Sequence, residues 1–301
     1  MLKQRDILWF WLPLFSSWIM MTFEGPFVSA TISRLPDKVL MLAAQGVVIS
    51  LSVFIESPII NLLSTSTALV RDKQSFEVVR RFTLHLMILL TAITFAVGFT
   101  PFFDVVVTGW LNVPDEVAQW VRPGMQVMLF FSGAIGWRRF LQGVLIHFDH
   151  GERVAQGTLV RLIVMIVAVL LVVFLTDWSG IYVGTIGIMS GILAESAFAT
   201  WVTYEVVRTE IPDKSEGEDL TYGELFWFHL PLASTSFLIL FVQPLVAAAL
   251  ARLDNPTESL AAWPIVFQAM LLLRAPGMAL PEVVIAKSNG DETFTPLRRF
   301  A

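Results

Sequence analysis

Eight predominantly apolar runs decide what this chain can fold into, because each is long enough to cross the hydrocarbon core of a bilayer as a helix, which takes about 20 residues. They cover residues 7–33, 39–70, 82–110, 117–148, 154–176, 181–207, 222–251 and 259–286. Charged residues make up only 15% of the sequence, against about 25% in a soluble domain, so no water-facing surface could enclose this much apolar side chain. A water-soluble enzyme is excluded on that ground. A nucleic-acid partner is excluded as well, since the net charge is −5 and there is no basic tract. The chain has no cysteine, which removes disulfides, thiolate metal sites and cysteine nucleophiles. The expected fold class is an all-α polytopic membrane protein, with the lipid bilayer as its first partner.

Several runs exceed the minimum length, which predicts tilt or kinks. The first is too long for a signal peptide and no small-residue cleavage site follows it. Lys and Arg concentrate in alternate loops: Lys3 and Arg5, then Arg71, Lys73, Arg80 and Arg81, then Arg153, then Arg208 and Lys214, then Lys287, Arg298 and Arg299. The intervening loops are short and poor in basic residues. Basic excess marks the cytoplasmic side, so the N-terminus is expected in the cytoplasm and the protein in the cell membrane. The stretch RTEIPDKSEGE from Arg208 to Glu218 is polar and broken by Pro and Gly, as a linker is. Three units follow: residues 1–207 as an N-lobe of six transmembrane helices, 208–221 as a cytoplasmic linker, and 222–301 as two helices and the start of a third.

The sequence repeats itself at a constant offset of 218 residues. Trp9, Phe10, Leu12, Pro13, Leu14 and Ser16 match Trp227, Phe228, Leu230, Pro231, Leu232 and Ser234. Without a gap, Pro26 then falls on Pro244, Arg34 on Arg252, Pro58 on Pro276, and Arg80-Arg81-Phe82 on Arg298-Arg299-Phe300. There are 23 identities over the 74 positions from Trp9 to Phe82. Apolar composition explains some matches between membrane helices, but not prolines and arginines aligned in one register. Six spans separate the copies, and an even number preserves orientation, so the repeats are parallel about an axis along the membrane normal. Two full copies would hold twelve spans. The expectation is therefore a C-terminally truncated chain, a six-helix N-lobe joined to the first two helices of a pseudo-repeat C-lobe, which by itself does not transport.

Three local patterns carry a family resemblance: Arg138-Arg139-Phe140-Leu141-Gln142-Gly143 at the end of helix four, the glycine-spaced helix six GIYVGTIGIMSGILAES, and helix two, LAAQGVVISLSVFIESPIINLL, before a basic loop. In order and spacing they resemble the MOP exporter superfamily, which includes MATE transporters and lipid-linked sugar flippases. Helix two looks most like the progressive ankylosis protein branch. The resemblance implies two six-helix lobes around a central cavity lined by helices one, two, seven and eight. It also implies export of a small organic or amphiphilic substrate by alternating access, with Na⁺ or H⁺ coupling in MATE branches, no resident cofactor, and a monomer when complete.

Each ionisable side chain inside a span needs a partner or a cavity, since insertion at a helix centre costs about 2.5–3.5 kcal/mol. Glu56 in helix two and its repeat equivalent Arg274 in helix eight have opposite charges at comparable depth, which predicts a pair, or two substrate contacts, across the lobe interface. A structural salt bridge is the plainer alternative. Glu24 precedes Gly25-Pro26, where a missing backbone donor should kink helix one, and Pro244 should kink helix seven. A carboxylate beside a kink suits a coupling ion; a hydrated interfacial residue is the plainer alternative. Gly180, Gly184, Gly187 and Gly191 form a close-packing stripe continued by Glu195, a further ion-site candidate. Asn61, Gln243 and Glu282 are polar candidates for the same cavity. At least one of Arg138 and Arg139 is expected to reach lipid phosphates, and Arg122 the outer interface. His147, Asp149 and His150 are too few and too close in sequence to make a convincing metal site. Trp9, Trp110, Trp178 and Trp227 fit interfacial belts. There is no ATP-binding phosphate loop and no sign of an enzyme. The expected function is secondary active export; a flippase for a lipid-linked or amphiphilic substrate and a non-transporting membrane scaffold are the alternatives.

Overall fold

A computed structural model describes residues 3–215, 218–288 and 290–300. The described residues form helices and connecting turns, with no strand. The N-terminal unit contains α1 (Gln4–Ile32), α2 (Lys38–Ile55), α3 (Leu62–Leu69), α4 (Lys73–Phe99), α5 (Asp115–Val127), α6 (Phe131–His147), α7 (Gly151–Leu175) and α8 (Gly180–Thr209). After the polar linker come α9 (Tyr222–Leu250), α10 (Pro256–Met278), α11 (Leu280–Lys287) and α12 (Asp291–Phe300). Seven helical stretches among the described residues are long and apolar enough to cross a membrane, and the chain is a multi-pass membrane protein.

The helix bounds correct the expected spans in a consistent way. Helix two is broken: α2 ends at Ile55, a short 3₁₀ turn covers Ser57–Ile59, and α3 restarts at Leu62. Helix eight is interrupted at Ala279, the position equivalent to Asn61, between α10 and α11. Of the matched prolines, Pro58 lies inside the first break and Pro276 shortly before the second, and each lacks the N–H that would continue the ladder. The fourth run is also two helices, α5 and α6, separated by a turn at 128–130. The third starts two turns earlier than its apolar run, because the Asp72 side chain accepts the Ser75 backbone N–H at 2.8 Å and caps α4. It ends before Pro101, and a π-helical segment covers Asp104–Trp110. By contrast, α1 and α9 run unbroken through Pro26 and Pro244. The carbonyls these prolines leave without a helical donor belong to Thr22 and Leu240, equivalent positions in the two repeats.

The repeat is visible in local bonding. Ser16 Oγ donates to the Leu12 carbonyl at 2.8 Å, and Ser234 Oγ to the Leu230 carbonyl at 2.8 Å. Arg34 reaches back to the Ala30 carbonyl, as Arg252 does to the Ala248 carbonyl. The two copies meet where α10 lies against α1 and α2. There Gly46 faces its own repeat equivalent: a Cβ on Gly46 would lie 2.6 Å from Pro264 Cγ. Contact between equivalent residues is what a pseudo-two-fold axis through that point produces.

The glycine stripe of α8 serves two neighbours rather than one. Added Cβ atoms at Gly180 and Gly184 would press on Ile32, Met41 and Gln45, while those at Gly187 and Gly191 would meet Val169 and the Arg161 carbonyl of α7. The tightest backbone approach elsewhere is Gly143 of α6, where a Cβ would lie 2.3 Å from the Leu63 carbonyl of α3. Backbone cannot yield as a side chain can, so Gly143→Ala should destabilise by at least about 1–3 kcal/mol, the range for overpacking. Thermal unfolding of the purified variant reads this; an unchanged midpoint would contradict the packing.

The linker is tied to the start of α4. Asp72 accepts from the Ser215 backbone N–H at 3.0 Å and its hydroxyl at 2.7 Å, and Gln74 exchanges two bonds with the backbone of Leu220. Lys73 pairs with Asp213 nearby.

Candidate functional site

Between the repeats, α1, α2, α6 and α7 on one side and α9 and α10 on the other enclose a cavity of about 400 Å³. Its two walls differ. The N-terminal unit supplies every charged group on the lining: Glu24, Glu56, Arg138, Arg139 and Arg161. The α9 and α10 wall is apolar, with Ile239, Leu240, Phe267 and Leu271, relieved by Ser236, Gln243 and Gln268.

Behind the charged wall lies a buried cluster. Glu195 of α8 is fully buried and accepts from Arg138 Nη1 at 2.9 Å, Gln142 Nε2 at 3.0 Å, Thr158 Oγ1 at 3.2 Å and Arg161 Nη1 at 3.5 Å. Arg161 Nη2 also lies 2.6 Å from Glu24 Oε2. Four helices, α1, α6, α7 and α8, are joined by this one set of charges. Ser17 extends it, 2.6 Å from the Thr158 hydroxyl. Buried charges are tolerable only when paired this way.

Two charged groups on the cavity wall are not paired. Arg139 has no ion-pair or hydrogen-bond partner among the described residues, and its buried Nε is unsatisfied. Its guanidinium stands over the Trp18 ring, 5.2 Å from the centroid. Glu56, at the end of α2, is 7% exposed and its Oε2 is buried without a partner. Gln45 has both side-chain polar atoms in the same condition, and Ser50 its hydroxyl. Unsatisfied polar atoms gathered on one cavity wall are what a polar ligand or solvent would occupy.

The expected Glu56–Arg274 pair does not form. Glu56 lines the cavity, whereas Arg274 is on an exposed face of α10 and outside the cavity lining. The repeat gives each residue the same place within its own copy, so equivalence across the axis brings two side chains together only for residues on the axis itself, as with Gly46 and Pro264. The other candidates divide. Glu24 lies inside the cavity wall, 5% exposed, and not at an interface; Gln243 also lines the cavity and accepts from Trp263 Nε1 at 3.2 Å. Glu282 is buried on α11. Asn61 sits at the break of helix two and donates to the Leu232 carbonyl at 2.7 Å and to Ser236 Oγ at 2.6 Å, tying the two units together. Arg138 and Arg139 both turn inward, against the expectation that one would reach lipid. Arg122 pairs with Asp104 at 2.9 Å. His147 contacts the Thr67 carbonyl and His150 pairs with Glu210, and no metal-binding group of side chains occurs among the described residues. Trp9, Trp110, Trp178 and Trp227 are exposed.

Sequence reasoning did not single out Arg161, although an ionisable residue inside the fifth apolar run is itself a signal. It also passed over His229, which is 2% exposed and whose ring bridges the helix-two break, with Nε2 2.8 Å from the Pro58 carbonyl and Nδ1 2.8 Å from Thr65 Oγ1.

No family model and no curated protein matches the sequence. Among solved structures, an outward-facing multidrug resistance MATE family transporter of the MOP superfamily superposes with a TM-score of 0.71 at 16% identity, over 99% of this chain and 67% of that one. The chain has the fold of a MOP superfamily transporter. A second such transporter, from Pyrococcus furiosus, superposes with a TM-score of 0.70 at 15% identity, again over 99% of this chain and 67% of that one, and is described as having a binding pocket of reversed polarity. A MATE protein in complex with Br-NRF gives 0.58 at 15% identity over 99% of this chain and 71% of that one. At these identities the MOP likeness is one of architecture, and the side chains of the cavity must be read for themselves.

Proposed function

We propose that the chain carries the solute-binding cavity of a secondary membrane transporter, and that its solute is a small organic molecule with an anionic group. The observation that carries this is Arg139: a guanidinium on the cavity wall with no carboxylate partner, beside an indole ring that can cover an organic body. The apolar α9 and α10 wall suits the remainder of an amphiphilic solute. Alternating access between the two repeat units, with the bundle around Glu195 moving as one body, would carry the solute outward. Glu56, on the same wall and unpaired, is the group that would hold a coupling proton, because a solute anion and the Glu56 carboxylate compete for one cation.

The test is a panel of small anionic, zwitterionic and cationic organic solutes added to the purified chain. A ligand that binds only the folded state raises the unfolding midpoint with concentration. Anionic members should do so saturably and cationic isosteres should not. Stabilisation by cations alone would overturn the reading.

A further inference from the structure

Arg161 is shared between two carboxylates from different parts of the chain. Its Nη2 lies 2.6 Å from Glu24 Oε2 on α1, and its Nη1 lies 3.5 Å from Glu195 Oε2 on α8. Arg138 closes on Glu195 from α6 at 2.9 Å. The other Glu24 oxygen, Oε1, is buried and has no hydrogen-bond partner. With both acids ionised, two carboxylates face two guanidiniums and the group is neutral. Arg138 neutralises Glu195, so Arg161 is the charge that balances Glu24 and holds α1 against α7 and α8.

We propose that Arg161 is a tethered counter-cation filling a two-carboxylate site, and that without it the site takes a free monovalent cation such as Na⁺. Removing the guanidinium leaves one uncompensated negative charge on Glu24, beside the oxygens of Glu195 and the Thr158 hydroxyl, with Arg138 and Gln142 still donating to Glu195. Such a set suits a hard alkali cation, for the same reason that hard cations choose oxygen ligands generally. A cation attached to α7 cannot leave for solution, so this site contributes no ion to a transport cycle. Coupling must then reside elsewhere, which deepens the reading given to Glu56 and rests on the transport proposal only in that respect.

The experiment needs no solute. The full chain is purified in detergent and unfolded thermally in sodium, lithium, potassium or choline chloride at equal ionic strength. The parent should melt at the same temperature in all four. Arg161→Gln should melt about 10 °C lower in choline, the scale expected when one partner of a buried ion pair is lost, and should recover at least half of that in a saturable way with an alkali cation. Adding Glu24→Gln to Arg161→Gln restores neutrality and should raise the midpoint in every salt while abolishing the cation response. The proposal is overturned by a stable Arg161→Gln, by one that no alkali cation rescues, or by a double variant less stable than the single. An Arg161→Gln that folds in no salt has not been rescued and overturns the proposal in the same way, even where the double variant folds. A chain that binds no anion at Arg139 would leave every one of these outcomes unchanged, so the two readings fail separately.

Discussion

Glu195→Gln should lower the unfolding midpoint more than any other single substitution in the cavity wall or the cluster behind it. The side chain is fully buried and accepts from Arg138, Gln142, Thr158 and Arg161. Glutamine has the same shape, so no cavity is created and no packing is lost. What disappears is the charge that holds two buried guanidiniums. Breaking a buried pair by removing one partner costs about 3–5 kcal/mol, because the surviving charge stays desolvated and uncompensated. Here two arginines would share only Glu24, and the glutamine amide would place a donor against one of them. Thermal unfolding of the purified variant, together with its yield in membranes, measures the effect. A midpoint within about 2 °C of the parent would mean that the cluster does not bear on stability, since 1 kcal/mol is worth roughly 2–4 °C in domains of comparable size.

Arg139→Gln should have the opposite profile: solute binding lost and stability kept. Arg139 makes no ion pair or hydrogen bond among the described residues, so its removal breaks no short contact, although buried Glu56 and Glu282 lose a nearby positive charge. A charge-assisted contact to a buried anion is worth about 1.5–3 kcal/mol, so affinity for anionic solutes should fall about 10–100-fold. The melting midpoint without solute should change far less than in Glu195→Gln, because no short ion pair is broken. Arg139→Lys should keep part of the affinity, since the charge remains while the planar fork is gone. Loss of stability in parallel with loss of binding would reduce Arg139 to a structural residue.

The architecture was legible because it is written in composition and in the repeat. Apolar runs of spanning length, and prolines and arginines aligned at one offset, need no tertiary information. What the repeat could not supply was which residues face each other. Equivalence relates the position of Glu56 to that of Arg274, but the axis passes through Gly46 and Pro264, and only residues there meet their counterparts. Arg161 shows the second limit. Its partners are on α1 and α8, and the packing of α7 between them cannot be read from a hydrophobic run whose polar face carries a single arginine. The inward turn of both Arg138 and Arg139 is a third. Adjacent helix positions point in different directions, yet each finds an interior surface: Arg138 the buried Glu195, Arg139 the cavity beside Trp18. The helix breaks were half visible, since Pro58 and Pro276 mark them, whereas the turn at 128–130 follows no proline directly.

The polarity of the cavity tests the account most directly, and the absence of cysteine from the chain makes the measurement clean. Ser236→Cys places one thiol on the α9 wall, where the cavity lining contains Ser236. Anionic and cationic methanethiosulfonate reagents of similar size are compared, each rate normalised to its reaction with a free thiol. With Glu56 holding its proton, as the account has it, Arg139 is the one unpaired charge on the wall among the described residues; the anionic reagent is then favoured by about tenfold, and Arg139→Gln removes the preference. Faster modification by the cationic reagent, or a preference that Arg139→Gln does not touch, would contradict it.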